Sequence, residues 1–168
     1  MSVSGPIRTA RVTRARVALV ATAALLAALD LGLKTWASRA LADGASVDLQ
    51  VIQLRLAFNS GVAFSLGDTL PSGVVLGVTG LIIAGLAVFA WRATRTATLP
   101  MRLGLAAVLA GAIANLVDRA ADGMVTDYLH TGWFPTFNLA DVFITVGGAA
   151  LVLASLRATD STSKDSTP

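Results

Sequence analysis

The chain has 168 residues, of which 55% are apolar and only 14% are charged, whereas soluble domains carry roughly 25% charged residues. A soluble fold of this size could not bury so much apolar surface, so the composition excludes an ordinary soluble domain and predicts a membrane protein. The net charge of +3 does not indicate a nucleic-acid partner, because most basic residues lie beside apolar runs. Cysteine is absent and His130 has no spaced ligand partner, so no metal site is predicted.

Four apolar runs follow one another along the chain. They are residues Val17–Leu29, Gly73–Trp91, Leu103–Val117 and Val142–Leu156. The second is long enough to span a bilayer, and the others reach about 20 residues only if flanking polar positions lie inside the membrane. We therefore expect a single four-span membrane domain over residues 17–157. A basic cytoplasmic segment (1–16) precedes it, and a Ser/Thr/Asp/Lys-rich tail (158–168) that is predicted to be disordered follows it.

The first apolar run has an alternative interpretation as a cleaved signal peptide. Its basic start, short apolar centre and following Ala-rich stretch fit that pattern. Asp30 and Lys34 suit a retained helix better, because charged residues inside a span usually serve a site.

The basic residues predict the orientation of the spans. Nine of the thirteen fall into three clusters. The clusters are Arg8, Arg11, Arg14 and Arg16, then Arg92, Arg95 and Arg102, then Arg157 and Lys164. The positive-inside rule places these clusters, and so both termini, in the cytoplasm, with residues 37–72 and 118–141 as the two outward loops.

The first outward loop contains a predicted strand. Residues Val51–Asn59 alternate, with Ile52, Leu54, Leu56 and Phe58 on one face, which is typical of a half-buried strand on the membrane surface. A turn at Asn59-Ser60-Gly61 follows. The expected fold is thus an all-α membrane protein of four transmembrane helices with a small extracytoplasmic β-element. In the second outward loop, Asp127 is expected on an irregular segment.

Three carboxylates interrupt the spans at one depth. At 1.5 Å per helical residue, Arg16 to Asp30 is about 21 Å, and Arg102 to Asp118 and Arg157 to Asp141 are each about 24 Å. All three therefore lie near the outer boundary of a core about 30 Å thick. This coincidence indicates a shared polar site that faces outward.

Each of these polar residues also has a structural interpretation. Asp30 and Lys34 are spaced i, i+4 and can form an ion pair. Asp118 and Arg119 can form a structural or phosphate-proximal pair. Asn115 can serve as a packing amide between helices. Asn138 is a candidate N-cap that makes Asp141 the N3 residue of the fourth span, so helix capping explains Asp141 as well as catalysis does.

Two carboxylates that share a proton can activate water and protonate a scissile carbonyl. No zinc-binding HExxH motif or Ser/His dyad competes with this chemistry. The spacing leaves Asp118, Asp122 and Asp127 open as partners for Asp141.

Five short blocks then resemble the lipoprotein signal peptidase (signal peptidase II) family, in order and across all four spans. They are Asp30-Leu-Gly-Leu-Lys34, Asn59-Ser-Gly61-Val-Ala63-Phe64, Gly111-Ala-Ile-Ala-Asn115-Leu-Val-Asp118-Arg119, Gly123-Met-Val-Thr-Asp127-Tyr128 and Phe137-Asn138-Leu-Ala140-Asp141. The resemblance covers roughly Asp30 to Gly148. The sequence departs slightly from the family pattern at Val62, Ala114 and Phe143. The departure at Phe143 affects the shape of the pocket that the resemblance implies around the lipid.

The resemblance implies an aspartyl endopeptidase of the bacterial inner membrane, active at the outer face without metal or cofactor. Its substrates would be prolipoproteins, cleaved just before a diacylglyceryl-modified cysteine, and membrane lipid its surroundings. It implies that Asp127 and Asp141 are the catalytic pair and that Asp30, Lys34 and Asp118 are structural or lipid-proximal. It implies that six residues shape the site or bind substrate, namely Asn59, Gly61, Asn115, Arg119, Asn138 and Ala140.

Two other functions are compatible with the composition alone. A proton-coupled transporter would use the membrane aspartates as a relay, but it needs acids at several depths. A non-enzymatic membrane scaffold would not need the matching Asp and Asn blocks.

Overall fold

The computed structural model describes residues 5–59 and 71–164. Within these ranges, four long helices are apolar enough to cross a membrane, which confirms the predicted helical membrane fold. The helices are α1 (Gly5–Ala40), α2 (Ser72–Ala93), α3 (Leu99–Asp122) and α4 (Leu139–Lys164). The strands are β1 (Ser46–Asp48), β2 (Gln53–Asn59) and β3 (Val125–His130).

The helices extend beyond the predicted apolar runs at both ends of the chain. Helix α1 spans Gly5–Ala40, so residues 5–16 of the basic N-terminal segment are helical and continuous with the first span. Helix α4 continues to Lys164, although the composition of residues 158–168 predicted disorder. Adding residues to an existing helix is far easier than starting one, so polar residues can continue a long apolar helix. The polar positions Asp30, Lys34 and Asp118 lie inside helices, as the span lengths require.

The three strands form one antiparallel sheet in the order β1-β2-β3. Strand β2 confirms the β-element predicted in the first outward loop, but its alternation is interrupted. The pairs Leu54–Leu129 and Ala57–Asp127 differ in register, so β2 contains a bulge. A bulge reverses the faces of the residues that follow it, and Phe58, predicted on the buried face, is 52% exposed.

Strand β3 corrects the expectation that Asp127 lies on an irregular segment. Residues Val125–His130 pair along β2 and place Asp127 opposite Ala57. Val125, Thr126, Asp127 and Tyr128 are all buried, so this stretch lacks the alternation of a half-buried strand. Of the predicted turn at Asn59-Ser60-Gly61, only Asn59 belongs to the described residues. Gly61, which was predicted to shape the site, lies outside them.

Helices α3 and α4 approach closely through glycines. A methyl group on Gly104 would lie 3.0 Å from the Gly147 carbonyl oxygen, and one on Gly147 would lie 2.8 Å from the Gly104 carbonyl oxygen. A methyl group on Gly111 would meet the backbone carbonyl oxygen of Ala140 and lie 2.8 Å from the Ile144 side chain. Small residues at such contacts let helix backbones pack tightly in membranes, and the last contact brings the start of α4 against α3.

Candidate active site

Lys34 joins two helices at one end of the bundle. Its Nζ lies 3.2 Å from a carboxylate oxygen of Asp30 on α1 and 3.2 Å from one of Asp118 on α3. The i, i+4 ion pair predicted between Asp30 and Lys34 is therefore present. The predicted Asp118–Arg119 pair is not found in the described ranges, because adjacent helical residues point about 100° apart and Asp118 turns toward Lys34.

Asn115 connects this ion cluster to Asp141. Lys34 donates a 2.6 Å hydrogen bond to the Asn115 side-chain oxygen, and the Asn115 amide nitrogen donates to Asp141 Oδ1 at 2.9 Å. A lysine ammonium can only donate, so its contact determines which end of the Asn115 amide faces Asp141. The amide therefore presents a donor to that carboxylate.

The N-terminus of α4 forms a reciprocal cap. The Asp141 backbone N–H donates to the Asn138 side-chain oxygen at 3.0 Å, and the Asn138 backbone N–H donates to Asp141 Oδ2 at 3.2 Å. This is the capping-box arrangement, and it confirms the predicted N-cap and N3 positions. It also places the charge of Asp141 beside the positive end of the helix dipole.

Two further side chains satisfy the first backbone N–H groups of α4. The Leu139 N–H donates to the Tyr128 hydroxyl oxygen at 3.3 Å, and the Ala140 N–H donates to Asp30 Oδ1 at 2.9 Å. A helix end buried inside a protein needs such partners. Asp30 and β3 therefore both help to position Asp141, which lies one residue further along α4.

Asp127 lies beside Asn138, on the strand that faces the start of α4. The Asn138 amide nitrogen donates to Asp127 Oδ1 at 2.7 Å and also to the Asn115 side-chain oxygen at 3.2 Å. Asn59, at the end of β2, also hydrogen-bonds to Asp127. Asp127 and Asp141 are thus linked through one asparagine side chain, although they belong to different elements.

The environment of Asp127 disfavours its charged form. Burial is the largest cause, and together with the nearby charge of Asp141 it raises the pKa of Asp127 to about 6, against hydrogen bonds that lower the pKa. Asp127 is 2% exposed, whereas Asp141 is partly exposed. One carboxyl group is therefore poised to hold a proton beside a second that caps the N-terminus of α4.

Backbone contacts explain how β3 and α4 bring these residues together. The chain folds back after β3, and Phe137 exchanges backbone hydrogen bonds with Leu129 at 2.8 and 2.9 Å. This pairing brings Asn138 alongside the strand. At the other end of β3, the Thr126 N–H donates to Asp118 Oδ2 at 2.7 Å, which fastens the strand to α3.

An open, largely apolar cavity of about 540 Å³ is lined by Asp141, whereas the buried Asp127 does not reach its surface. Its polar rim includes Asn59 and Asp141, and its apolar walls come from the loop after β3 and from α4. The apolar lining residues are Trp133, Phe134, Pro135, Phe137, Val142 and Val146. A ligand with an apolar body could therefore place a polar bond next to Asp141.

The remaining predicted residues occupy different positions. Ala140 is fully buried, and its backbone carbonyl packs against Gly111 of α3. Arg119 is buried near the end of α3, and its Nε has no hydrogen-bond partner within the ranges described. Asp122, which the spacing left open as a partner for Asp141, is exposed and accepts the Met124 backbone N–H at 3.1 Å.

The sequence interpretation missed Tyr128 as part of this site. Its hydroxyl group caps α4 and hydrogen-bonds to Asp30, and burial raises its pKa above the ordinary value. The sequence signal was an aromatic residue next to Asp127 in the block Gly123-Met-Val-Thr-Asp127-Tyr128, to which no role was assigned.

Comparison with protein families finds a match to signal peptidase II over residues 22–157. A lipoprotein signal peptidase of Mycobacterium leprae is 36% identical over 146 residues, which cover 82% of this chain and 71% of that protein. One from Sinorhizobium fredii is 40% identical over 116 residues, covering 67% of this chain and 69% of that protein. A third, from Bartonella tribocorum, is 33% identical over 148 residues, covering 84% and 88%.

Comparison with solved structures finds the same architecture. Two structures of bacterial membrane enzymes superpose with TM-scores of 0.74 and 0.70, at 25% and 24% sequence identity. The first match covers 84% of this chain and 89% of the other, and the second covers 83% and 92%. The three relatives share a peptidase name, so nothing supports the transporter interpretation.

Proposed function

The chain belongs to the signal peptidase II family, and from this premise we propose that Asp127 and Asp141 are the catalytic pair with which it removes signal peptides from prolipoproteins. The observation that carries the proposal is the hydrogen-bonded link Asp127–Asn138–Asp141, in which one buried carboxyl group has a raised pKa and the other caps a helix. A buried acid with a raised pKa can act as the proton donor beside a second carboxyl group that acts as the base.

The proposed chemistry assigns one role to each aspartate. The Asp141 carboxylate takes a proton from a water molecule, and the water oxygen attacks the scissile carbonyl carbon. Asp127, protonated at the start, donates its proton to the carbonyl oxygen, so a neutral tetrahedral diol forms. When the C–N bond breaks, one diol hydroxyl group returns its proton to Asp127 and Asp141 passes its proton to the leaving amine. The pair thus ends in its starting state.

We assign the apolar cavity beside Asp141 to the lipid of the substrate. Trp133, Phe134 and Val146 offer an apolar surface on which the acyl chains of a diacylglyceryl-modified cysteine can lie. Asn59 and Asp141 at the rim then adjoin the peptide bond just before that cysteine. Binding energy from the remote lipid would in this way position the bond that is cut.

The proposed location is the bacterial inner membrane, with both termini in the cytoplasm and the site at the outer face. Three basic clusters support the orientation. At the proposed inner end, the Arg16 guanidinium lies 4.4 Å from the centroid of the Trp91 ring. The carboxylate network and the exposed Trp133 belong to the opposite end, where aromatic residues suit the outer interface.

The test is cleavage of a diacylglyceryl-modified precursor by purified protein in detergent. We expect loss of the signal peptide with the wild-type protein, and rates reduced on the order of 1,000-fold in Asp127→Asn and Asp141→Asn. Asp43→Asn is the matched control, because Asp43 is exposed and its positive φ of 61° suits asparagine. Full activity in either dyad variant would reject the pair and point to Asp118 or Asp122.

A further inference from the structure

An arginine cluster lies at the proposed cytoplasmic end of the bundle. Eight arginines lie there among the side chains that the structure describes, namely Arg8, Arg11, Arg14, Arg16, Arg92, Arg95, Arg102 and Arg157. The ion pairs found in the described ranges all involve Lys34 at the other end of the molecule. None of these arginines therefore forms an ion pair with an acidic side chain that the structure describes.

One cleft within this cluster has the features of an anion site. Arg8, Arg16 and Arg95 line a cavity of about 320 Å³, together with Thr9 and Thr13. Arg8 and Arg16 come from the same side of α1, and Arg95 comes from the connection between α2 and α3. Three guanidinium groups from two elements thus converge on one space.

Arg16 shows that this cleft can orient a ligand. Its guanidinium lies over the Trp91 ring, 4.4 Å from the centroid, and this cation–π contact favours one orientation of the side chain. Its Nε is buried and has no hydrogen-bond partner in the described ranges. A buried donor without a partner is costly, and a phosphate oxygen in the cleft would satisfy it through a charge-assisted hydrogen bond.

The surroundings of the cleft favour a lipid over a soluble anion. Immediately toward the membrane on α1 lie Val17 and Val20, which are 63% and 53% exposed. Trp91, beside Arg16, is 45% exposed, as expected for a side chain at the headgroup level. A ligand here meets cationic groups at one end and apolar helix surface at the other.

We propose that the cleft formed by Arg8, Arg16 and Arg95 binds the phosphate headgroup of an anionic phospholipid of the cytoplasmic leaflet. This site lies at the end of the bundle opposite Asp127 and Asp141 and takes no part in cleavage. The cleft holds α1 and the α2–α3 connection to a common ligand, so occupation should also stabilise the folded protein.

The experiment measures lipid binding to the purified full-length protein by native mass spectrometry, with phosphatidylglycerol and phosphatidylcholine as probes. The wild-type protein should prefer phosphatidylglycerol, and Arg8→Gln/Arg95→Gln should weaken its binding roughly 10- to 30-fold, since each basic residue near an anionic lipid surface contributes about a factor of five. Phosphatidylcholine binding should not change. Arg16→Lys, which keeps the charge but changes the donor geometry, should weaken phosphatidylglycerol binding by a smaller factor.

Two matched double variants distinguish a site from general attraction. Arg11→Gln/Arg14→Gln removes the same charge from another face of the same helix, where Arg102 lines a separate cleft. Arg39→Gln/Arg55→Gln removes the same charge at the opposite end of the molecule. Both should keep phosphatidylglycerol affinity within about threefold of wild type. Equal losses in the Arg11/Arg14 and Arg8/Arg95 variants would overturn the site in favour of diffuse electrostatics.

The same measurement separates a lipid from a free anion and from the catalytic proposal. Inorganic phosphate in large excess should not displace phosphatidylglycerol, and displacement by that excess would reject the lipid as the ligand. Asp141→Asn should bind phosphatidylglycerol as the wild type does, whether or not it cleaves precursor. Failure of the lipid site and failure of the dyad are therefore read from different variants.

Discussion

Asn138 holds both aspartates with a single amide group. Its nitrogen donates to Asp127 and to Asn115, and its oxygen accepts the backbone N–H of Asp141. An inverted amide would place an oxygen against Asp127 and a nitrogen against a backbone donor, so only one orientation satisfies these contacts. The distance between the two carboxyl groups is thereby tied to the geometry of a helix cap.

The burial of Asp127 predicts a stability that depends on pH. Its pKa rises from 3.8 in the unfolded chain to about 6 in the folded protein, so its protonated form favours folding. This contribution is fully present below about pH 4 and is lost as the pH rises through about 6. Asp127→Asn removes the cost of the buried charge, and we expect it to be more stable than wild type at pH 7.5, by roughly 2 kcal/mol or less.

Thermal unfolding in detergent at pH 4.5, 6 and 7.5 measures this effect. The difference between Asp127→Asn and wild type should grow with pH, and Asp43→Asn should show no such trend, because Asp43 is exposed. A constant difference between the two proteins at all three pH values would mean that Asp127 is not held neutral by burial.

Asp118 is expected to act on stability and not on chemistry. Its carboxylate pairs with Lys34 and accepts the Thr126 backbone N–H, so Asp118→Asn weakens the attachment of β3 to α3. The expected loss is about 1–3 kcal/mol, seen as a melting temperature lower by several degrees. Cleavage per folded molecule should remain within a few-fold of wild type, and a loss as large as that of Asp141→Asn would place Asp118 in the reaction.

Local spacing predicted the contacts within one element but not those between elements. The Asp30–Lys34 pair and the Asn138–Asp141 cap follow from spacings of four and three residues on a helix, and both are present. The bond from Asn115 to Asp141 joins residues from two helices, and the sequence contains no period that relates them. Its existence depends on the close packing of α3 and α4.

At the scale of elements, β2 was predictable and β3 was not. Strand β2 has one half-buried face and shows alternation in its sequence, whereas β3 begins with four consecutive buried residues. Four consecutive buried residues give no alternation, and the strand with which β3 pairs lies about 70 positions away in the chain. Its β-structure comes from pairing with β2 and from the contacts of Asp118 and Tyr128.

The pairing of β2 with β3 also limits what a loop deletion can show. Removal of residues 47–58 would test substrate contact alone only if the two aspartates kept their arrangement without these residues. Ala57 lies opposite Asp127 in the sheet, so the deletion would remove the strand that supports a proposed catalytic residue. Point substitutions on the exposed side of β2 are therefore the cleaner test of substrate contact.

The contact between Gly111 and Ala140 predicts a distinct effect on activity. A methyl group at position 111 would collide with the Ala140 backbone, which must then shift away together with the adjacent Asp141. We expect Gly111→Ala to cost about 1–3 kcal/mol of stability and to change kcat more than KM, because most of the apolar wall of the proposed lipid site comes from the loop after β3. Gly148→Ala on α4, where a methyl group meets no atom within 4 Å, should behave as wild type.

Steady-state kinetics and melting curves on both glycine variants decide this prediction. If the Gly111→Ala protein melts lower but cleaves at the wild-type rate, the contact supports folding alone. If the Gly148→Ala protein loses as much activity, the effect comes from changing any helical glycine and not from this approach.

At the scale of the whole molecule, the basic residues and the carboxylate network occupy opposite ends of the helix bundle. The arginine cluster and Trp91 lie at one end of the bundle, and the ion cluster of Lys34, the sheet and the apolar cavity lie at the other. The number of spans and the shared depth of the carboxylates could be predicted, because both follow from hydrophobic length and helical rise. The cavity could not, because its walls come from a loop whose fold depends on β3.

This arrangement predicts which loops are accessible from outside the cell. The chain has no cysteine, so a single introduced cysteine reports one position without background. Ser46 in β1 and Thr96 between α2 and α3 are both exposed, and the proposed orientation puts them on opposite sides of the membrane. In intact spheroplasts, a membrane-impermeant maleimide should label Ser46→Cys at least tenfold faster than Thr96→Cys, and after the membrane is disrupted both should react at similar rates. Each variant should first be shown to cleave precursor, so that the folded enzyme is what is labelled. Rapid labelling of Thr96→Cys in intact spheroplasts, with Ser46→Cys protected, would invert the topology and put the proposed site in the cytoplasm.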